Sequence, residues 1–153
     1  MADQQEKTDR IVVGVDGSES SKLALRWAAR QAELTKGVVE AVTAWNIPHL
    51  YGARAWLPPS SSDEAALEGQ ARRELTQAVE EILGPSPHSV EVRVEARYGT
   101  AAGVLIDASR DAAVLVVGSR GLGGFSGLLL GSVAQHCVQH AACPVLVVRG
   151  GEE

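Results

Sequence analysis

The chain has 153 residues, 45% of them apolar and 22% charged. That length favours one compact domain and lets a fold bury roughly 68–70% of its unfolded surface without a disulfide or metal staple. Fourteen Lys and Arg against nineteen Asp and Glu leave a formal charge of −5 with no basic tract to offset it, which speaks against a nucleic-acid partner. Met1 to Arg10 is polar and no apolar run approaches the ~20 residues of a bilayer span, so a soluble, cytoplasmic protein with no membrane partner is expected. Cys137 and Cys143 lack CxxC spacing and fit free thiols in a reducing compartment.

Along the chain, five runs of strand type alternate with helical periodicity. Ile11 to Val15 (IVVGV) is a nearly continuous apolar block, as expected of a central parallel strand covered on both faces. Ser18 is placed to cap a helix whose apolar stripe reads Leu23, Ala24, Trp27, Ala28 and Leu34, stopped at Gly37. Val38 to Trp45 is the second strand. Asn46 to Ser62, with Pro48, Pro58, Pro59 and three consecutive serines, is a long surface loop. Trp45, Tyr51 and Trp56 around it are expected to be packed aromatics rather than a lid. A second helix is predicted from about Asp63 to Leu83, acidic at its start, with a Glu68–Arg72 pair at i,i+4 and Gly84-Pro85 as terminator.

The third strand, Val90 to Arg97, alternates: Val90, Val92, Val94 and Ala96 on one face, charge on the other. It is expected at a sheet edge. Thr100 to Arg110 offers a helix with Val104, Leu105, Ile106 and Ala108 as apolar positions, and Ala113 to Val117 is a second buried strand. After Gly131 a helix should turn Val133, Ala134, Cys137, Val138 and Ala141 inward, before a last strand from Pro144 to Arg149. The expected architecture is α/β, a single domain over 1–153 with its core at about 9–149 and short flexible tails: an open parallel sheet with helices on both faces.

Between the fourth strand and the last helix, Gly118, Gly121, Gly123, Gly124, Gly127 and Gly131 fall within fourteen residues. A glycine-rich segment joining a strand's carboxyl end to a helix amino end presents backbone N–H groups and the positive end of a helix dipole, so phosphate is its natural guest. Glycines serving only turns are the equal alternative. The segment is not a P-loop, since no lysine follows Lys36. The first turn, Gly14-Val15-Asp16-Gly17-Ser18, is not a dinucleotide fingerprint, and Gly124-Phe125-Ser126-Gly127 is not a nucleophile elbow. Arg120 is the only cation in the segment and is expected to face solvent. His136, Cys137, His140 and Cys143 include two histidines at i,i+4, a spacing able to chelate zinc. Cys137 falls on the opposite helix face, so two surface histidines, two buried thiols and no metal are expected.

The positions Gly118, Gly121, Gly131 and Ser132 fill the pattern G-x2-G-x9-G-[ST]. Together with IVVGVDGSESSKLAL near the amino end and CPVLVV after the last helix, they make the chain similar to the ATP-binding branch of the universal stress protein family over roughly residues 9–149. The resemblance implies a five-stranded sheet in the order 3-2-1-4-5, Rossmann-like, with ATP and Mg2+ across the carboxyl ends of strands 1 and 4, the switch point where such sheets bind ligands. Carried over by position, Asp16 sits by the nucleoside, although read alone it is equally a turn residue beside Gly17. Ala44 borders the adenine, Gly118 and Gly121 approach the ribose and α-phosphate, and Gly131, Ser132 and Val133 hold the outer phosphates. The implied role is a nucleotide-dependent regulator in a bacterial stress response. An interaction protein of the same fold without nucleotide and a slow ATP hydrolase are the alternatives; no base is placed for attack by water, so hydrolysis is at most slow. A homodimer is expected through the apolar edge strand 144–149.

Overall fold

The computed structural model describes residues 8–46, 61–120 and 130–150. Among them are five strands, β1 (Arg10–Gly14), β2 (Val38–Trp45), β3 (Glu91–Tyr98), β4 (Val114–Gly118) and β5 (Val145–Val148). Four helices alternate with them: α1 (Glu19–Thr35), α2 (Ser61–Leu83), α3 (Ala101–Ala108) and α4 (Ser132–His140). Every strand pair is parallel and the sheet order is β3-β2-β1-β4-β5, as expected. Tyr51, Trp56 and the interior of the 46–62 loop lie outside the described residues, as do Gly121, Gly123, Gly124 and Gly127. No helix among the described residues is long and apolar enough to cross a membrane.

The helices pack in pairs, α1 and α2 on one face of the sheet, α3 and α4 on the other. The central strands therefore bury both sets of side chains. Ile11, Val13 and Val116 join the core under α1 and α2, and Val12, Leu115 and Val117 join the core under α3 and α4. On one side of β3 Val92 and Val94, with Val90 just before the strand, pack into the α2 core. On its other side Arg97 lies 3.0 Å from Glu95, 3.5 Å from Asp107 and 4.0 Å from Glu40. The alternation of β3 thus records one apolar and one charged face.

Arg10, at the start of β1, ties this charged face to the core. Its Nε donates to Glu40 on β2 at 3.2 Å, and its two terminal nitrogens donate to the carbonyls of Arg110 and Ala108 at the carboxyl end of α3. Those carbonyls lie where a helix runs out of intrahelical donors.

Two predicted stripes need correction. In α1 the buried positions are Ser20, Ser21, Ala24, Leu25, Ala28, Ala29 and Ala32, while Trp27 is 46% and Leu34 76% exposed. Small side chains face the sheet because the helix crosses it closely, and Trp27 is turned out, with the Arg30 guanidinium 5.5 Å from its ring. In α4, Ala134 and Cys137 are buried as expected, but Val138 lies at the margin of the stripe and is 51% exposed. Trp45 packs edge-on against Tyr98 with ring centroids 5.0 Å apart, at the carboxyl ends of β2 and β3.

Candidate functional site

Between β1 and β4 the strand order reverses, and a cleft opens there. Gly14, Thr43, Ala44, Val117 and Gly118 line it from the strand ends. Ser18 and Ser21 of α1, Ala101 and Leu105 of α3, and Val133 and Ala134 of α4 close its sides. It holds about 570 Å³ of space, open solvent included.

The turn from β1 into α1 is held by its own side chains. Asp16 Oδ1 accepts from Ser18 N–H at 2.9 Å, an Asx turn that Gly17 completes at φ 88°. Ser18 Oγ caps α1 by accepting from Ser21 N–H at 3.3 Å. Asp16 is therefore a turn residue and, being exposed, also lines the cleft.

On β2 the backbone matters more than the side chain. Val42 C=O accepts from Val15 N–H on the β1 side, and Trp45 C=O accepts from Gly99 N–H on the β3 side. Parallel strands alternate the side their amides face, so the N–H and C=O of Ala44 point toward β1. The β1 strand has already ended at Gly14, opposite Val42. Ala44 thus offers one donor and one acceptor, side by side, to whatever fills the cleft.

At the end of β4, Gly118 is glycine for a packing reason that its spacing did not show. A Cβ there would lie 2.7 Å from the Ser20 carbonyl carbon and 2.8 Å from Ser21 N, so the strand end seats directly on the first turn of α1. The next two amides are already engaged: Ser119 N–H donates to Val148 O at 2.8 Å and Arg120 N–H to Ser20 Oγ at 3.4 Å. Ser119 C=O accepts from Gly131 N–H at 2.6 Å, which closes the neck of the glycine-rich segment. Gly131 is the N-cap of α4 and supplies no side-chain hydrogen bond, whereas Ser18 and Thr100 cap α1 and α3 with theirs. Among the described residues no side chain caps the first-turn amides of α4. Of the residues expected at the site, Asp16, Ala44, Gly118 and Val133 line the cleft, and Gly131 and Ser132 start the helix that borders it. Gly121 lies outside the described residues. Arg120 is exposed, as expected, and also lines the cleft. Ser20, Ser21 and Thr43 were not singled out from sequence; the Ser18-Glu19-Ser20-Ser21 run was the signal available for the first two.

The His136 and His140 rings sit on the exposed face of α4, centroids 6.2 Å apart, and Cys137 is buried on the other. No group of three or more metal-ligating side chains occurs among the described residues. Cys143 was expected to be buried but is only half-buried, its Sγ 3.3 Å from Pro144 O. Burial pushes the Cys137 thiol up to about 11 and raises Cys143 as well. The neutral form of Cys137 therefore persists through pH 8, where the thiolate is the reactive species. Iodoacetamide at pH 8 should leave Cys137 unlabelled in the native protein and label it after denaturation; mass spectrometry showing rapid native labelling would contradict this.

The universal stress protein family matches residues 7–149. A universal stress protein of Mycolicibacterium smegmatis is 35% identical over 150 residues, covering 94% of this chain and 49% of that protein. One from Mycobacterium tuberculosis is 35% identical over 146 residues, covering 90% and 46%. The chain thus spans about half the length of these relatives. Among solved structures, universal stress protein UspA from Lactobacillus plantarum superposes with a TM-score of 0.74 at 22% identity, covering 95% of this chain and all of that one. A universal stress protein in complex with cAMP gives 0.58 at 23% identity, covering 94% and 98%. An Arabidopsis thaliana family member with AMP bound gives 0.60 at 20% identity, covering 94% and 92%. On the match of its sequence from residue 7 to residue 149, this chain belongs to the universal stress protein family.

Proposed function

We propose that the protein binds ATP, with Mg2+, in the β1/β4 cleft and acts as a nucleotide-dependent regulator in a bacterial stress response. The observation that carries this reading is the pairing, in one cleft, of the Ala44 backbone edge with the uncapped amino end of α4. An adjacent acceptor and donor match the exocyclic amine and ring nitrogen of adenine, and guanine presents the reverse pattern on that edge. First-turn amides that no described side chain caps, with the positive end of the helix dipole, suit phosphate. In this reading Asp16 serves the nucleoside, Gly131, Ser132 and Val133 the outer phosphates, and Gly118 the ribose and α-phosphate, together with Gly121, which the family motif assigns and which lies outside the described residues. Mg2+ keeps several waters and is held largely by the phosphates, with the Ser132 hydroxyl as the protein's oxygen. AMP and cAMP in two structures of the same fold support an adenine nucleotide.

Binding is favoured over turnover because Asp16 is the one carboxylate among the described residues lining the cleft, and no histidine joins it. Gly131→Asp separates binding from folding. The N-cap backbone is extended, φ −72° and ψ 168°, a conformation any residue adopts, and an aspartate there would cap α4 itself, placing a negative charge where phosphate must sit. The variant should keep or slightly raise its Tm and lose at least ~10-fold in ATP affinity by isothermal titration. Unchanged affinity would sink the assignment. Chromatography of the nucleotide recovered from the wild-type titration should return ATP, and turnover at or above ~1 s⁻¹ would favour a hydrolase.

We also propose that the protein is a homodimer paired through β5. Leu115 N–H donates to Pro144 O and Ser119 N–H to Val148 O, so the odd positions, Val145 and Val147, face the free edge. Exposed apolar side chains occur in both layers. Ser20 would lie 3.7 Å from a Cβ at Gly150; Trp27, seven residues on, is about two turns and ~10 Å further along α1 and is 46% exposed. On the other layer Val138 of α4 is 51% exposed. Leu146 on β5 is 39% exposed. Antiparallel pairing of two copies about a twofold axis would bury Leu146. Light scattering should give twice 16.1 kDa for the wild type and a smaller mass for Val147→Pro, which removes a free-edge donor and leaves the β4 ladder intact. A wild-type monomer at micromolar concentration would refute the dimer.

A further inference from the structure

Ser20 lies outside the residues assigned to nucleotide above, yet it holds the peptide on which the phosphate end is built. The Ser119–Arg120 peptide is pinned at both sides. Its carbonyl accepts from Gly131 N–H at 2.6 Å, and its N–H donates to Ser20 Oγ at 3.4 Å. The same hydroxyl donates to the Arg120 carbonyl. One peptide plane therefore joins the first turn of α1 to the N-cap of α4. Ser20 is 6% exposed, and the bare Cα of Gly118 is what lets it come so close. Ser18 Oγ also reaches the Arg120 carbonyl, at 3.3 Å, but it is committed as the α1 cap. Ser20 has no capping duty, so its hydroxyl can be removed without taking the helix cap with it.

We propose that Ser20 is a positioning residue for the phosphate end of the cleft, an inference that rests on the nucleotide reading above. Without its hydroxyl the Arg120 N–H loses the Ser20 bond and the Arg120 C=O keeps only the longer one from Ser18 Oγ, so the 119–120 peptide is held less tightly on the side away from Gly131. The first-turn amides of α4 then lose their fixed aim, and small misplacements of a binding group are costly. The base-recognising backbone of Ala44 sits on β2 and depends on none of these bonds. Loss of the hydroxyl should therefore weaken a triphosphate ligand and spare a bare nucleoside, a selectivity that general loosening of the fold would not produce.

The test is isothermal titration of wild type, Ser20→Ala and Ser20→Cys with ATP and with adenosine, alongside thermal unfolding. Ser20→Ala should bind ATP roughly fivefold or more weakly and adenosine within about twofold of wild type. Ser20→Cys, similar in size with a weaker donor, should fall between, and it carries the test if the alanine variant does not fold. Equal ATP affinity in wild type and both variants would overturn the positioning role alone. Parallel losses for ATP and adenosine would mark Ser20 as merely structural. A wild type that binds adenosine but not ATP, or neither, would overturn the nucleotide reading beneath it.

Discussion

Between β1 and β4 the sheet changes the direction in which it is built, and the rest of the molecule follows from that reversal. The helix after β1 covers one face and the helix after β4 covers the other, so the two chains leave the sheet in opposite directions and cannot fill the space above their strand ends. The gap is lined by backbone and helix amino ends. Packing keeps it narrow: Gly118 lets the end of β4 seat on α1, and a Cβ at Gly14 would meet the Leu105 side chain of α3 at 2.6 Å. Two glycines at two strand ends thus set how closely the layers approach around the cleft.

The two sheet edges are treated differently, and the difference is chemical. β3 carries Glu91, Arg93, Glu95 and Arg97 on the side away from α2, in ion pairs with one another, with Glu40 and with Asp107 of α3. Charge at an edge discourages another strand from adding to it. β5 has Val145, Leu146, Val147 and Val148 and no charge until Arg149. Leu146 on it is 39% exposed, and the ~13 Å length of the four-residue strand is by itself short for a stable interface.

Much of the fold was legible in the sequence because the signals were local and redundant. The apolar blocks of β1 and β4, the alternation of β3 and the cap at Ser18 each point to one assignment. Helix faces were less legible. Trp27 counts as apolar in any pattern, yet the sheet beneath α1 accepts alanine and serine, and a large ring has no room there. The open edge of Ala44 could not be seen locally, since it arises from β2 outrunning its neighbour β1. The role of Ser20 depends on a residue one hundred positions away. Gly118 was legible as glycine, but its packing against α1 required the tertiary contact.

The central claim is that one ligand spans the cleft from Ala44 to the amino end of α4. Adding ATP with Mg2+ to 15N-labelled protein and following the amide resonances tests it most directly. The account predicts that the Ala44 amide and those of Ser132, Val133 and Ala134 shift together, with one common saturation curve. Saturable shifts confined to other surfaces, with these four amides unmoved, would contradict it.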